Sequence, residues 1–288
     1  MKTVSPVTVV PINSWNQGEN SLKKDLLVVE EPLQIKLQFG QGENWQEKPL
    51  AVTMRTPGHD FELAIGFLLA ENIIHSPEDI QSIRYCKRVK KEERGNVLLV
   101  RLSSSISFDL SLLDRHFFTH SSCGVCGKSA IEAITCEDKA LDHDISKVKT
   151  SLLKQLNEML IKEQTVFKCT GGIHASALFS TDGPLLFLRE DVGRHNAFDK
   201  VVGAALQQNL LPLSNCLMML SGRVSFELVQ KAVRARIPII AAVGAPSSLA
   251  VSLAKEKGIT LIGFLKNDRF NIYTGRERVV SDERILDE

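Results

Sequence analysis

The stretch CLMMLSGRVSFELVQKAVRARIPIIAAVGAPSSLAVSLAKEKGITLIGFL, residues 216–265, decides the fold. Three short apolar runs, CLMMLSG (216–222), IPIIAAVG (237–244) and ITLIGFL (259–265), read as strands. Between them FELVQKAVRAR (226–236) and SSLAVSLAKEKG (247–258) space their apolar residues as helices do, the second closed by Gly258. Strands and helices alternating in this way, with near-continuous apolar strands, imply a parallel sheet covered by helices on both faces. The ligands of such sheets sit beyond the carboxyl ends of the strands.

That rule selects three turns. Ser221, Gly222 and Arg223 end the first strand, and Gly244, Ala245, Pro246, Ser247 and Ser248 end the second. Phe264, Leu265, Lys266, Asn267, Asp268 and Arg269 lie beyond the third. The first two turns feed helix N-termini, where unpaired N–H groups and the helix dipole favour an anion. Neither carries a Walker or dinucleotide fingerprint, so spacing alone leaves nucleotide binding and ordinary helix capping both open.

Upstream, HASALFS (174–180) and LLFLRE (185–190) flank Thr181-Asp182-Gly183-Pro184, a hairpin signal. SLLKQLNEMLIKEQ (151–164) predicts a helix with Leu152, Leu153, Leu156, Met159 and Leu160 on one face. Within REDVGRHNAFDK (189–200) eight charged or polar side chains crowd a strand-to-helix corner, which Asp191 or Asn196 would cap.

The N-terminal part differs in texture. DLLVVEEPLQIKLQFG (25–40) and PLAVTMRTPG (49–58) alternate as strands, and DFELAIGFLLAENII (60–74) predicts a helix with Asp60 as its cap. The charged hairpin tip KRVKKEERGN (87–96) leads to the strand NVLLVRL (96–102). The expected organisation is a flexible leader over 1–24, a small α+β domain over 25–115, a mobile cysteine-containing loop over 116–129, and an α/β domain over 130–288.

With 288 residues, 43% hydrophobic content and a net charge of +1, the chain can bury a large core and has no global field to recruit nucleic acid. The N-terminus lacks the apolar core of a signal peptide, and no run approaches the roughly 18 apolar residues of a membrane span. A soluble cytoplasmic protein is expected, with no nucleic-acid or membrane partner.

Of six cysteines, Cys86, Cys136, Cys169 and Cys216 are scattered singly, whereas Cys123 and Cys126 share the turn SSCGVCGKSAIEAI (121–134). A structural zinc site needs four ligands, and only His116 and His120 stand nearby to complete one. A thioredoxin-like couple would need a strand before Ser121, and none is evident. A nucleophilic thiolate remains: the helix start after Gly127 and the adjacent Lys128 would both lower a thiol pKa.

Taken together, CGVCGKSAIE (123–132), TGGIHASALF (170–179), REDVGRHNAFDKVVG (189–203), SGRVSFELVQKA (221–232) and GFLKNDRFNIYTG (263–275) resemble the FdhD/NarQ family over most of residues 25–280. The resemblance implies transfer of sulfur from a cysteine desulfurase, through a persulfide, to the bis-molybdopterin guanine dinucleotide molybdenum cofactor required by formate dehydrogenase. Cys123 would bear the persulfide, Cys126 would be the second thiol, and Phe264 to Arg269 would bind the cofactor, with GDP as a mimic.

The resemblance also implies a three-layer C-terminal domain similar to cytidine deaminases. Zinc deaminases use H-x-E and P-C-x-x-C; here those places read His195-Asn196-Ala197 and Ser221-Gly222-Arg223-Val224-Ser225. Neither a resident metal nor hydrolytic deamination is therefore expected. In such a fold Arg223 would meet phosphate, and Arg194 and His195 would line the guanine nucleotide cleft. A homodimer would match the two guanine nucleotides of the cofactor. The competing function is a non-catalytic chaperone that docks the cofactor.

Overall fold

The structure is a computed structural model that describes residues 5–104, 106, 136, 138–141 and 146–282. It opens with an antiparallel hairpin, β1 (Val7–Asn16) and β2 (Glu19–Val28), in register from Val7 opposite Val28 to Asn16 opposite Glu19. The sequence predicts an irregular leader over 1–24, and the structure differs. Gln17 and Gly18, both at positive φ, supply the tight turn that lets the flanking apolar and polar residues pair.

A four-stranded sheet follows, in the order β4 (Asn44–Arg55), β3 (Glu31–Gln41), β6 (Val97–Leu102), β5 (Ile80–Tyr85). Alternation in β3 sends Leu33, Ile35, Leu37 and Phe39 into the core. Helix α1 (Asp60–Ala70) connects β4 to β5. Asp60 is not its cap. His59 occupies the cap position with a left-handed φ of 58°. Asp60 is buried in the first turn, where Arg55 Nε and Nη2 donate to it at 3.0 and 2.9 Å and the Tyr85 hydroxyl at 2.9 Å. A fully buried guanidinium needs a countercharge more than the helix needs a cap.

The C-terminal part is a mixed six-stranded sheet. Its elements in chain order are β7 (Val148–Lys149), α2 (Thr150–Glu163), α3 (Thr165–Thr170), β8 (His174–Ser180), β9 (Leu185–Asp191), α4 (Arg194–Gln207), β10 (Cys216–Leu220), α5 (Phe226–Arg234), β11 (Ile239–Ala242), α6 (Ser248–Glu256), β12 (Thr260–Gly263), β13 (Asn271–Thr274) and β14 (Val279–Val280). The spatial order is β13, β12, β11, β10, β8, β9. As the central stretch predicts, β10, β11 and β12 are parallel. The β8–β9 hairpin and β13 add antiparallel strands at the two sides, and β14 pairs with β7 apart from this sheet.

Period-two alternation loads both faces. Leu217, Met219, Ile239 and Ala241 pack with Leu153, Leu156 and Leu160 of α2. Met218, Leu220, Ile240 and Ala242 face the other way, into a cluster that includes α4, α5 and α6 and continues through α1 to β3 and β6. The N-terminal sheet and the C-terminal sheet thus share one core rather than closing separately. Helices α1 and α4 cross where side chains are missing: a Cβ on Gly66 would overlap the Asp199 carbonyl, and one on Gly203 the Glu62 carbonyl. No described helix is long and apolar enough to cross a membrane.

Candidate functional site

The three turns selected from the sequence stand side by side. Gly244 donates its N–H to Gly222 O, Val224 to Ala245 O, and Ser247 to Val224 O. Phe264 N–H then reaches Gly244 O at 3.2 Å, and Leu265 N–H reaches Ala242 O at 2.9 Å. Glycine is required where the first two turns touch, since a Cβ on Gly244 would come within 2.8 Å of the Gly222 backbone. Ser247 caps α6 by accepting from Ala250 N–H.

In the third turn Phe264 takes a left-handed φ of 52°, uncommon for a large side chain, and is 45% exposed. Lys266, Asn267, Asp268 and Arg269 are exposed, as is Arg223 on the neighbouring turn. Leu265 departs from the expected binding set. It is fully buried in the core beneath α2, so its side chain packs the sheet and cannot touch a ligand. Cys123 and Cys126, with His116, His120 and Lys128, lie outside the described residues.

The corner at 189–200 is built from buried charge. Asp191 accepts from Lys200 Nζ at 2.6 Å, from Thr56 N–H at 3.2 Å and from Gly193 N–H at 2.8 Å. Burial pushes its carboxyl upward, while Lys200, Gly193 and Asn196 pull it back. Gly193 holds the N-cap position of α4 without a side-chain cap, so Asp191 does not cap the helix as expected but ties the turn before it by accepting from Gly193 N–H. Asn196 instead sits inside the helix and bonds Met54 O, Asp191 and Thr53 across to β4. Asp199 is held by Lys231 of α5 at 2.7 Å; burial dominates and lifts its carboxyl to about 6. Arg189 grips Glu62 of α1; burial pushes Glu62 up, but Arg189 and His59 outweigh it and hold the carboxyl at about 2.

Arg194 and His195, adjacent in sequence, serve different neighbourhoods. Successive helical residues point about 100° apart. His195 Nε2 lies 3.1 Å from Ser225 Oγ and 3.9 Å from Glu227, in a cavity of about 640 Å³ between β4, α1, α4 and α5. Arg194 acts electrostatically on His174, whose ring burial, and then that charge, hold below the usual histidine range. His174 lines a second cavity, of about 450 Å³, with Ser221 and Val243 at the carboxyl ends of β10 and β11.

Two contributors carry no role in the sequence reading. His174 falls within TGGIHASALF, but only the packing of Gly222 against its ring, where a Cβ would stand 3.2 Å from Nδ1, ties it to the first turn. Gln164 has no local signal at all. It ends α2 and lines the smaller cavity.

Comparison with known proteins bears on the same segments. The FdhD/NarQ family model matches residues 28–280. The sulfur carrier protein FdhD of Mycolicibacterium paratuberculosis is 48% identical over 265 residues, which cover 91% of this chain and 94% of that protein. The protein of the same name from Saccharolobus solfataricus is 43% identical over 255 residues, covering 88% and 91%. A crystal structure of a protein from Desulfotalea psychrophila superposes with a TM-score of 0.73 at 23% identity, covering 96% of this chain and 100% of the other. That likeness concerns the fold.

Proposed function

The chain belongs to the FdhD/NarQ family, and from that membership we propose that it is a sulfur carrier in the maturation of formate dehydrogenase. The observation that carries the reading is near-half identity, over nine-tenths of the chain, to proteins named as sulfur carriers. The Cys123 thiolate attacks the terminal sulfur of a persulfide on a cysteine desulfurase. The donor S–S bond breaks, the desulfurase leaves as a thiolate, and the new S–S bond stands on Cys123. Attack by the Cys126 thiolate on the Cys123 sulfur then forms a Cys123–Cys126 disulfide and releases the outer sulfur as hydrosulfide. A thiol reductant restores the pair.

The acceptor in this reading is the bis-molybdopterin guanine dinucleotide molybdenum cofactor, handled as substrate. Its nucleotide end lies against the turn at 264–269 within a deaminase-type sheet, and a cytoplasmic homodimer presents two such ends. Exposed Arg223, Lys266 and Arg269 and the amides of the first two turns suit phosphate. The test is mass spectrometry of the full chain after incubation with desulfurase and cysteine, beside formate oxidation in cells lacking this protein. Wild type is expected to gain one sulfur atom and restore activity, and Cys123→Ala to do neither. Undiminished formate oxidation with Cys123→Ala overturns the carrier role and leaves a cofactor-docking chaperone.

A further inference from the structure

Strand β4 is an edge of the N-terminal sheet, hydrogen-bonded to β3 on one side only. The register decides which of its backbone groups face the open side. Gln34 donates its N–H to Asn96 O at 2.8 Å, toward β6, so its backbone groups point away from β4. Val52, opposite Gln34, is therefore in a non-hydrogen-bonded pair, and its N–H and C=O point away from β3. Two residues along, Met54 lies opposite Pro32, which has no N–H to give, and Asn196 Nδ2 reaches Met54 O from the open side at 2.7 Å. Val52 N–H, Val52 C=O and Met54 N–H thus stand on the free edge with no partner among the described residues. Their side chains are exposed as well, Val52 by 37% and Met54 by 47%. Natural edges are blunted against pairing, and β4 is blunted further back, where Pro49 adjoins a register shift. The stretch 52–54 carries no such block.

The second observation is the cavity beside this edge. Val52, Thr53 and Met54 form one side of the space of about 640 Å³, and α1, α4 and α5 form the others. Ile35, Leu63 and Phe67 make part of its lining apolar. Its charges do not balance: Lys231 is taken up by Asp199 at 2.7 Å, which sets Glu30, Glu71 and Glu227 against His195. An apolar lining with surplus carboxylates suits a side chain that has an aliphatic stem and a cationic head.

We propose that the 52–54 edge of β4 is a docking site for an extended segment of a partner protein, which adds to the sheet as a further strand and carries arginine or lysine at its inward-facing positions. Alternate side chains of a strand take opposite faces. One set then meets the exposed Val52 and Met54 side chains, and the other enters the cavity toward the carboxylates. Main-chain hydrogen bonds to Val52 and Met54 hold the segment, and the cavity selects its charge. The site shares no residue with the turns at 221–223, 244–248 and 264–269, so its occupant does not compete for the groups that suit phosphate.

Fluorescence anisotropy of the full chain with a labelled, end-blocked heptapeptide, valine and arginine alternating between terminal threonines, tests this. Wild type should bind it, and should bind the same peptide with glutamate for arginine about tenfold more weakly. A version N-methylated at every inner residue keeps each side chain but has no inner amide to donate, and should also bind about tenfold more weakly. That peptide reads the pairing on the unaltered chain, so the result does not depend on a variant folding. Val52→Pro removes the edge donor where the fold's own ladder loses no bond, and should weaken the arginine peptide about tenfold with the far-ultraviolet circular dichroism unchanged. Glu227→Gln should weaken the arginine peptide about fivefold and leave the glutamate peptide no weaker. No binding of the arginine peptide by wild type, equal binding of the N-methylated version, or no preference over glutamate overturns the proposal. Sedimentation velocity separates the remaining occupant: a dimer that Val52→Pro dissociates would mean that a second copy covers the edge and overturns the proposal, whereas a sedimentation coefficient that Val52→Pro leaves unchanged supports it.

Discussion

The corner at 189–200 and the turn at 264–269 both crowd charged side chains into a short stretch, yet they sit at opposite levels of burial. In the corner three charges face fixed partners: Asp191 meets Lys200, Asp199 meets Lys231 from α5, and Arg189 meets Glu62 from α1. In the turn Lys266, Asp268 and Arg269 are exposed, and no ion pair joins them among the described residues. Charge taken out of water must be paired, so the corner's charges are committed to holding β9, α1, α4 and α5 together. Charge left in water costs little, and its hydrogen-bonding capacity remains open to a ligand. Charge density alone therefore does not mark a binding site; charge that the fold has not already used does.

The strongest way to break this contrast is to strand a charge in the corner. Asp191→Ala leaves the buried Lys200 ammonium without its carboxylate and Thr56 and Gly193 without their acceptor, and should cost about 3–5 kcal/mol. Urea denaturation measures it. Removing both charges, as Asp191→Ala with Lys200→Met, should recover part of that loss, because no ion is then left unpaired. A double variant as unstable as the sum of the singles would mean that the ion pair itself is not what matters.

A second test uses pH. Burial lifts Asp199 to about 6 from an ordinary value of 3.8. Its folded form therefore binds a proton more readily than its unfolded form. The contribution is fully present below pH 4 and is lost as pH rises through 6, so this group makes stability fall across that window. The change is on the order of 2 kcal/mol. Asp199→Asn should remove this falling component between pH 4 and 6, leaving a part of the same sign from Asp191 and one of opposite sign from His174, whose pKa is held low. Glu62, held at about 2, acts oppositely: its contribution is present above its unfolded value and lost as pH falls toward 2. An unchanged slope in Asp199→Asn would show that the carboxyl is not raised.

What could be read from the sequence follows the same division. The β10–β12 segment was legible because strand and helix periods alternate cleanly and Gly258 closes a helix, so the parallel order of the strands followed from topology. Leu265 was misplaced among binding residues because a hexapeptide read as a unit hides the inward-facing member of a strand end. Asp60 read as a cap because its partners, Arg55 and Tyr85, meet it only through tertiary packing. Arg194 and His195 read as one site, but one helical step separates them: His195 lines the larger cavity, whereas Arg194 acts on His174. Gln164, whose Nε2 has no hydrogen-bond partner among the described residues, had no signal, since a missing partner is a property of the folded surroundings and not of any local pattern.

The smallest expected effect on stability sharpens the contrast from the other side. Arg269 is exposed and pairs with no carboxylate among the described residues, so Arg269→Ala should change unfolding free energy by no more than about 0.5 kcal/mol. Its guanidinium nevertheless offers a planar set of donors that phosphate oxygens match. Loss of one such charge-assisted contact at a wet site should weaken GDP binding about tenfold. The loss should shrink as salt rises, because an exposed ion pair is screened whereas the buried corner is not. Titration of GDP into wild type and Arg269→Ala at low and high salt checks both points. A variant that is destabilised by several kcal/mol would place Arg269 with the structural charges of the corner. One that is stable and binds GDP as wild type does would leave the turn's charges without a ligand and end the division of labour between the two regions.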